Sequence, residues 1–203
     1  MSLIKMLARL KDCGHYVLNT ADVAALLDIK ESYASKIMAR LTEAGHALRL
    51  KRGLWILSGK HDIFYAAEYF AAPFPAYISL QSALYYHGMI SQIPSVIYCV
   101  SVGRTSLYKT PIGTFSIHHI SPNFFFGYEI LPGTQIKMAT PEKALIDMLY
   151  LSPTKSRLFS TLPEVTLEEC GFNIQKAKKI INAIPSLHRK TMINTKFKAI
   201  IGK

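Results

Sequence analysis

The chain has 203 residues, half of them apolar and 18% charged, and its 24 Lys and Arg against 13 Asp and Glu leave a formal charge of +11. This composition excludes a disordered chain, and the length suffices for one or two units that each bury a core. Three scattered cysteines, Cys13, Cys99 and Cys170, argue against a disulfide framework and against a zinc knuckle.

Leu3, Leu7 and Leu10 recur at helical spacing behind Ser2, a good N-cap, and predict a first helix ending near Gly14. Tyr16-Val17-Leu18 reads as a short extended piece. Thr20 is placed to cap a second helix over residues 21–27, with Asp22 in its first turn. Asp28-Ile29-Lys30-Glu31 then turns the chain into a third helix, which reaches about Ala44 and stops at Gly45. On that helix Ala34, Ile37, Met38, Leu41 and Ala44 share an arc of about 120°, the width of a core-facing stripe. Ser32, Lys36, Ala39 and Glu43 fall opposite, flanked by Tyr33 and Arg40. From His46 to Lys51 apolar and basic residues alternate in a strand period. Arg52-Gly53 makes a turn and Leu54-Trp55-Ile56-Leu57 returns, which predicts a hairpin. Trp55 is expected to close the small core rather than to stack on a base.

Helix, short helix, turn, amphipathic helix and basic hairpin, in that order, predict a winged helix-turn-helix over residues 1–60. In such a unit the later helix lies in the major groove of DNA, while Lys and Arg around it grip phosphates. The candidate DNA contacts are Lys30, Ser32, Tyr33, Ser35, Lys36 and Arg40, with Arg49, Lys51 and Arg52 on the hairpin. The basic balance fits a polyanionic partner. Two other readings of such a module stay open: a protein-docking unit, and a delivery module for a nucleic-acid-processing enzyme.

Residues 61–75 predict a connecting helix, His61 to Phe70, and a joint at Ala71-Ala72-Pro73-Phe74-Pro75. Residues 76–203 predict a second, mixed α/β domain ending in basic helices, so the expected class is α+β. Ser79 is placed to cap a helix that runs to about Tyr86 and ends at Gly88. Val96 to Val102 and Gly113 to Ile120, rich in β-branched and aromatic residues, predict strands. Thr140-Pro141-Glu142-Lys143 combines a hydroxyl cap, Pro at the first helical position and an acid in the first turn; Leu145, Met148 and Leu149 supply the buried side of the helix it starts.

Chemistry-bearing motifs are few. His118 and His119 are adjacent on a predicted strand and so point to opposite faces. Glu142, as a first-turn acid, is explained by the helix dipole, and Lys143 and Asp147 assemble no site. The chain lacks a phosphate-binding Gly-x-x-x-x-Gly-Lys-Ser/Thr loop, a His-Glu-x-x-His pair, a Gly-x-Ser-x-Gly elbow and an Asp-x-Asp pair. The expectation is a protein that is not an enzyme and uses no cofactor or metal. Tyr69 to Gly103 carries no Lys, Arg, Asp or Glu, but Pro73, Pro75, Gly88 and Pro94 interrupt it, so no membrane span is expected. Met1-Ser2-Leu3-Ile4-Lys5 lacks an apolar signal core, which points to the cytoplasm.

The closing segment, Asn173 to Lys203, holds eight Lys or Arg and no acid. Ile174, Ala177, Ile180, Ile181 and Ile184 predict one side of a helix that Pro185 ends. Three readings compete for Lys176, Lys178, Lys179, Arg189 and Lys190: a DNA-backbone contact, an acidic protein partner, or a solvated face.

Ala21-Asp22-Val23-Ala24-Ala25-Leu26-Leu27, then Leu41-Thr42-Glu43-Ala44-Gly45 and Arg52-Gly53-Leu54-Trp55, resemble the N-terminal domain of the AbiEi family, with Trp55 where Tyr is more usual. Tyr77-Ile78-Ser79, Ala83-Leu84, His87-Gly88, Gly113, Ile117-His118-His119-Ile120 and Ala139-Thr140-Pro141-Glu142-Lys143-Ala144-Leu145-Ile146-Asp147 are similar to its second half. The resemblance runs through about Leu151 and weakens beyond. It implies a DNA-binding repressor of its own operon and an antitoxin of a type IV toxin-antitoxin system of phage defence; independently of the resemblance, operator DNA with inverted repeats would suit two copies of a helix-turn-helix per site. The implied protein partner is a cognate nucleotidyltransferase toxin. Neither the operator sequence nor an oligomeric state is legible.

Overall fold

The computed structural model describes residues 1–152, 163–167 and 171–202, and within them the chain is a mixed α+β protein with two sheets. The first helix, α1 (Leu3–Asp12), starts where the Ser2 hydroxyl accepts from Lys5 N. Strand β1 (Val17–Asn19) leads directly into α2 (Thr20–Leu27). Asn19, and not Thr20, is its cap: Asn19 Oδ1 accepts from Asp22 N and the Asp22 carboxylate accepts from Asn19 N, both at 2.9 Å. This reciprocal box satisfies two donors at once; with Thr20 as the cap the third position would be Val23, whose side chain accepts nothing. Thr20 Oγ1 instead faces the Gly53 carbonyl at 3.5 Å. Asp28, left-handed at φ 56°, ends α2 and α3 (Glu31–Glu43) follows. Gly45, at φ 75°, turns the chain into the hairpin of β2 (Ala47–Lys51) and β3 (Leu54–Leu57). The three strands form an antiparallel sheet in the order β1-β3-β2.

All four residues of β3 are buried, so both faces of this sheet are covered. On one face Leu18, Ala47, Trp55 and Leu57 join Met6, Leu10, Val23, Leu27, Ala34, Ile37, Met38 and Leu41 in a core shared with the three helices. Ala44, expected at the end of that stripe, is the exposed C-cap of α3. On the other face Val17, Leu50, Leu54 and Ile56 enter the core of the rest of the molecule.

The expected helix from His61 to Phe70 is shorter and begins with a tighter turn. The Asp62 carboxylate accepts from Phe64 N at 2.9 Å and starts a 3-10 turn, Ile63–Ala66, before α4 (Ala67–Ala71). A six-stranded sheet follows, made of β4 (Ala76–Ile78), β5 (Val96–Ser101), β6 (Ser106–Thr110), β7 (Gly113–His119), β8 (Tyr128–Ile130) and β9 (Lys137–Ala139). Its order is β6-β7-β5-β4-β9-β8, with β5/β7 and β4/β9 parallel and the other pairs antiparallel. Helix α5 (Leu80–Tyr86) lies between β4 and β5 in sequence. Helix α6 (Pro141–Leu151) starts as expected, with the Thr140 hydroxyl accepting from Lys143 N, but it is buried from Glu142 to Leu151 on every side. The reason is its central place: α5, β9, α7 (Ile174–Asn182) and α8 (Leu187–Ile201) all touch it. No helix among the described residues is long and apolar enough to cross a membrane.

Candidate nucleic-acid interface

Helix α3 turns its apolar stripe to the core, and its remaining face is therefore outward. Lys30, Ser32, Tyr33, Lys36, Ala39 and Arg40 are exposed and Ser35 is half-buried. Tyr33, a large ring 44% exposed, stands in the first turn of the helix. Arg49 and Arg52 are exposed on the hairpin. A cleft of about 630 Å³ separates hairpin and helix, and Ser32, Ser35, Ala39, Arg49, Arg52 and Trp55 line it together with Glu31 and Glu43. Trp55 is 5% exposed and packs in the helical core, the structural role expected for it. Lys36, Arg40, Arg49 and Arg52 have no ion-pair partner among the described residues, and Glu31 and Glu43 stand exposed on the same helix.

Lys51 does not belong to this surface. Strict alternation would place Arg49 and Lys51 on one side of β2, but the register shifts between them: Arg49 is opposite Trp55, whereas Lys51 is opposite Leu54. Opposed residues share a face, so this bulge sends Lys51 to the other side of the sheet. There its ammonium donates to the Tyr69 carbonyl at 3.2 Å and lies 5.5 Å from the Phe70 ring and 5.0 Å from the Tyr108 ring. Its partners are internal, and it joins the hairpin to the second half.

The basic C-terminal set divides as well. Lys176, Lys178 and Lys179 are exposed on α7, whose inner side is Ala177, Ile180 and Ile181. Ile174 departs from the expected stripe and is exposed. Arg189 is half-buried, its guanidinium 4.3 Å from the Tyr150 ring, and Lys190 is half-buried beside it. Arg189 is thus engaged by α6 rather than projecting free.

The charged residues of α6 form an arrangement that residue patterns did not reveal. Lys143 and Asp147, both fully buried, are ion-paired one turn apart. Asp147 also accepts from Tyr77 Oη at 2.9 Å and from Ser79 Oγ at 2.8 Å, so the expected cap of α5 is committed elsewhere. The Lys143 ammonium lies 3.7 Å from the Phe124 ring centroid. Burial pushes the Lys143 ammonium down and the Asp147 carboxyl up, each opposed by the charge of the other. The Tyr77 phenol is driven well up by burial and by the Asp147 charge. Opposite charges spaced i,i+4 within an apolar run were the available signal. Glu142, beyond its dipole role, accepts from Asn173 N at 2.9 Å and tethers the start of α7.

His118 and His119 point to opposite faces, as adjacent strand residues must. His118 is buried, its Nε2 2.9 Å from Ser116 Oγ, and burial lowers its pKa to about 4. His119 is exposed. Among the described residues no three His, Cys, Asp or Glu side chains stand together so as to hold a metal ion. Cys13 and Cys99 are free thiols, and Cys170 lies outside the described residues. Compared with known proteins, the chain matches no family model and no curated sequence.

Proposed function

We propose that residues 1–60 are a winged helix-turn-helix and that the chain is a sequence-specific DNA-binding repressor. Helix α3 enters the major groove, with Ser32, Tyr33, Lys36 and Arg40 at base edges and nearby phosphates. Lys30 and Ser35 flank it, and Arg49 and Arg52 of the hairpin meet the backbone. The observation that carries this reading is the exposed polar face of α3, with Lys36 and Arg40 outside any ion pair among the described residues, beside the arginine-bearing hairpin. Groove readout needs such a helix, and phosphate contact needs cations that no internal carboxylate has already neutralised. Lys176, Lys178 and Lys179 offer a second contact to backbone or to an acidic partner. The protein acts by binding rather than by catalysis, in the cytoplasm. Its resemblance to the AbiEi family supports autoregulation and an antitoxin role against a nucleotidyltransferase toxin.

A gel shift with DNA from upstream of the protein's own gene tests this. Lys36→Ala and Arg40→Ala weaken binding, whereas Glu129→Ala, on the distant edge strand β8, leaves it unchanged. Equal retention by wild type and Lys36→Ala overturns the assignment. Co-purification of the neighbouring gene product at high salt, from a chain that binds no DNA, indicates a docking module instead.

A further inference from the structure

Residues 102–105 link the end of β5 to edge strand β6, and a cavity of about 590 Å³ opens between this loop, the segment from Phe70 to Phe74, and the end of β7. No Asp or Glu lines it. Arg104 and His119 do, and Arg104 is exposed with no ion-pair partner among the described residues. His119 Nδ1 is 2.9 Å from the Gly103 carbonyl oxygen. A carbonyl only accepts, so Nδ1 carries the proton and donates; Nε2 then accepts from a ligand hydroxyl in the neutral imidazole and donates to a ligand oxygen in the imidazolium. Thr105 Oγ1 accepts from His119 N at 3.1 Å and keeps its own proton to donate. Ser101 Oγ is already used, donating to the Pro75 carbonyl and accepting from Gly103 N. An aromatic surface completes the wall. Phe74 is 47% exposed and lies so close against Gly103 that a Cβ there would come within 2.8 Å of its ring. Tyr108, stacked on Phe70 at 4.9 Å, forms another side.

We propose that this cavity binds a small phosphate monoester carrying a planar ring, an aryl or nucleoside monophosphate, with Arg104, Thr105 and His119 around the phosphate and Phe74 against the ring. The guanidinium fork matches phosphate oxygens bidentately, and a partly exposed ring presents a surface to a second planar group. The volume falls in the range of small-molecule sites, about 300–1,000 Å³. A duplex keeps its bases stacked inside and offers no free ring here, so the site goes beyond duplex recognition and stands whether or not α3 binds DNA.

Isothermal titration of the full chain with AMP, phenyl phosphate, adenosine and inorganic phosphate tests it. AMP and phenyl phosphate bind with millimolar or better affinity, at least about tenfold tighter than phosphate or adenosine. Arg104→Ala removes at least about tenfold of the AMP affinity, and Arg104→Lys, which keeps the charge but loses the fork, restores only part of it. Phe74→Ala brings AMP down to the level of inorganic phosphate while leaving phosphate itself unchanged. Arg104 is exposed, so an unchanged thermal midpoint certifies the fold of its variants. No saturation by AMP or phenyl phosphate to about 10 mM overturns the proposal, as does AMP binding that survives Arg104→Ala or that phosphate alone equals. Operator binding is a separate measurement, and Lys36→Ala, which weakens it, leaves AMP affinity unchanged.

Discussion

Lys51 and Tyr108 meet across the junction of the two sheets, the ammonium 5.0 Å from the ring centroid. A basic residue beside the hairpin turn thus serves cohesion rather than outward charge. Its removal tests stability and not affinity. Lys51→Met costs about 1–3 kcal/mol, because the charge-assisted hydrogen bond and the cation–π interaction both disappear, as read by the urea midpoint.

Arg49 and Arg52 give the opposite pattern. Each alanine variant keeps the urea midpoint within about 0.5 kcal/mol and flattens the plot of log K against log salt by about 0.9 for each phosphate no longer neutralised. A salt slope that falls for Lys51→Met and stays fixed for Arg49→Ala would reverse the assignment of the two side chains.

The Lys143–Asp147 pair is sensitive to loss of a single partner. Lys143→Met leaves a buried carboxylate accepting only from Tyr77 and Ser79, and Asp147→Leu leaves a buried ammonium. Each costs about 3–5 kcal/mol, while the double variant recovers a large part of that loss because no uncompensated charge remains. A double-mutant cycle by chemical denaturation measures the coupling; additive losses would show that the pair does not act as a unit.

Gly127 supports the same pair. Its φ is 77°, and a Cβ would stand 3.1 Å from Lys143 Cγ and Cδ, which leaves the aliphatic stem little room. Gly127→Ala lowers stability by about 1–2 kcal/mol, more than a surface Gly→Ala exchange at a relaxed position. Thermal unfolding of the variant against wild type supplies the comparison.

Acid sensitivity follows from His118. Its folded pKa, about 4, is below the ordinary value of 6.5, so between these values the unfolded chain binds the extra proton. The contribution is complete above pH 6.5, declines as pH falls toward 4, and is constant below. A shift of this size corresponds to roughly 3 kcal/mol. Wild type and His118→Phe, compared by urea titration at several pH values, differ in slope within this window and run parallel above it.

Much of the first sixty residues was legible because Leu3, Leu7, Leu10, Ile37 and Leu41 follow a helical period and Gly45 and Gly53 mark turns. The bulge after Arg49 was not, since alternation counts residues and a bulge inserts one without changing composition. In the second half, β5 and β7 were marked by β-branched runs. The three-residue strands β4, β8 and β9 are too short to display a period, and β6, with Ser, Lys and Thr on an edge, lacks an apolar one. The helix α6 was legible at its cap, but the burial of Lys143 and Asp147 depends on Tyr77, Ser79 and Phe124, which lie far back along the chain. The cavity beside Gly103 was equally hidden, because Arg104 and His119 meet only when β5 and β7 align in parallel, and Phe74 joins them only when β4 pairs antiparallel with β5.

The double coverage of β3 bears on how the protein can be dissected. A fragment cut after Lys60 keeps Leu18, Trp55 and Leu57 sheltered by its helices but leaves Val17, Leu50, Leu54 and Ile56 facing water. Each such side chain forgoes about 1.5–3 kcal/mol, a large share of a small domain's margin. Intact protein therefore melts in one cooperative transition, and the isolated N-terminal fragment self-associates through that bared sheet.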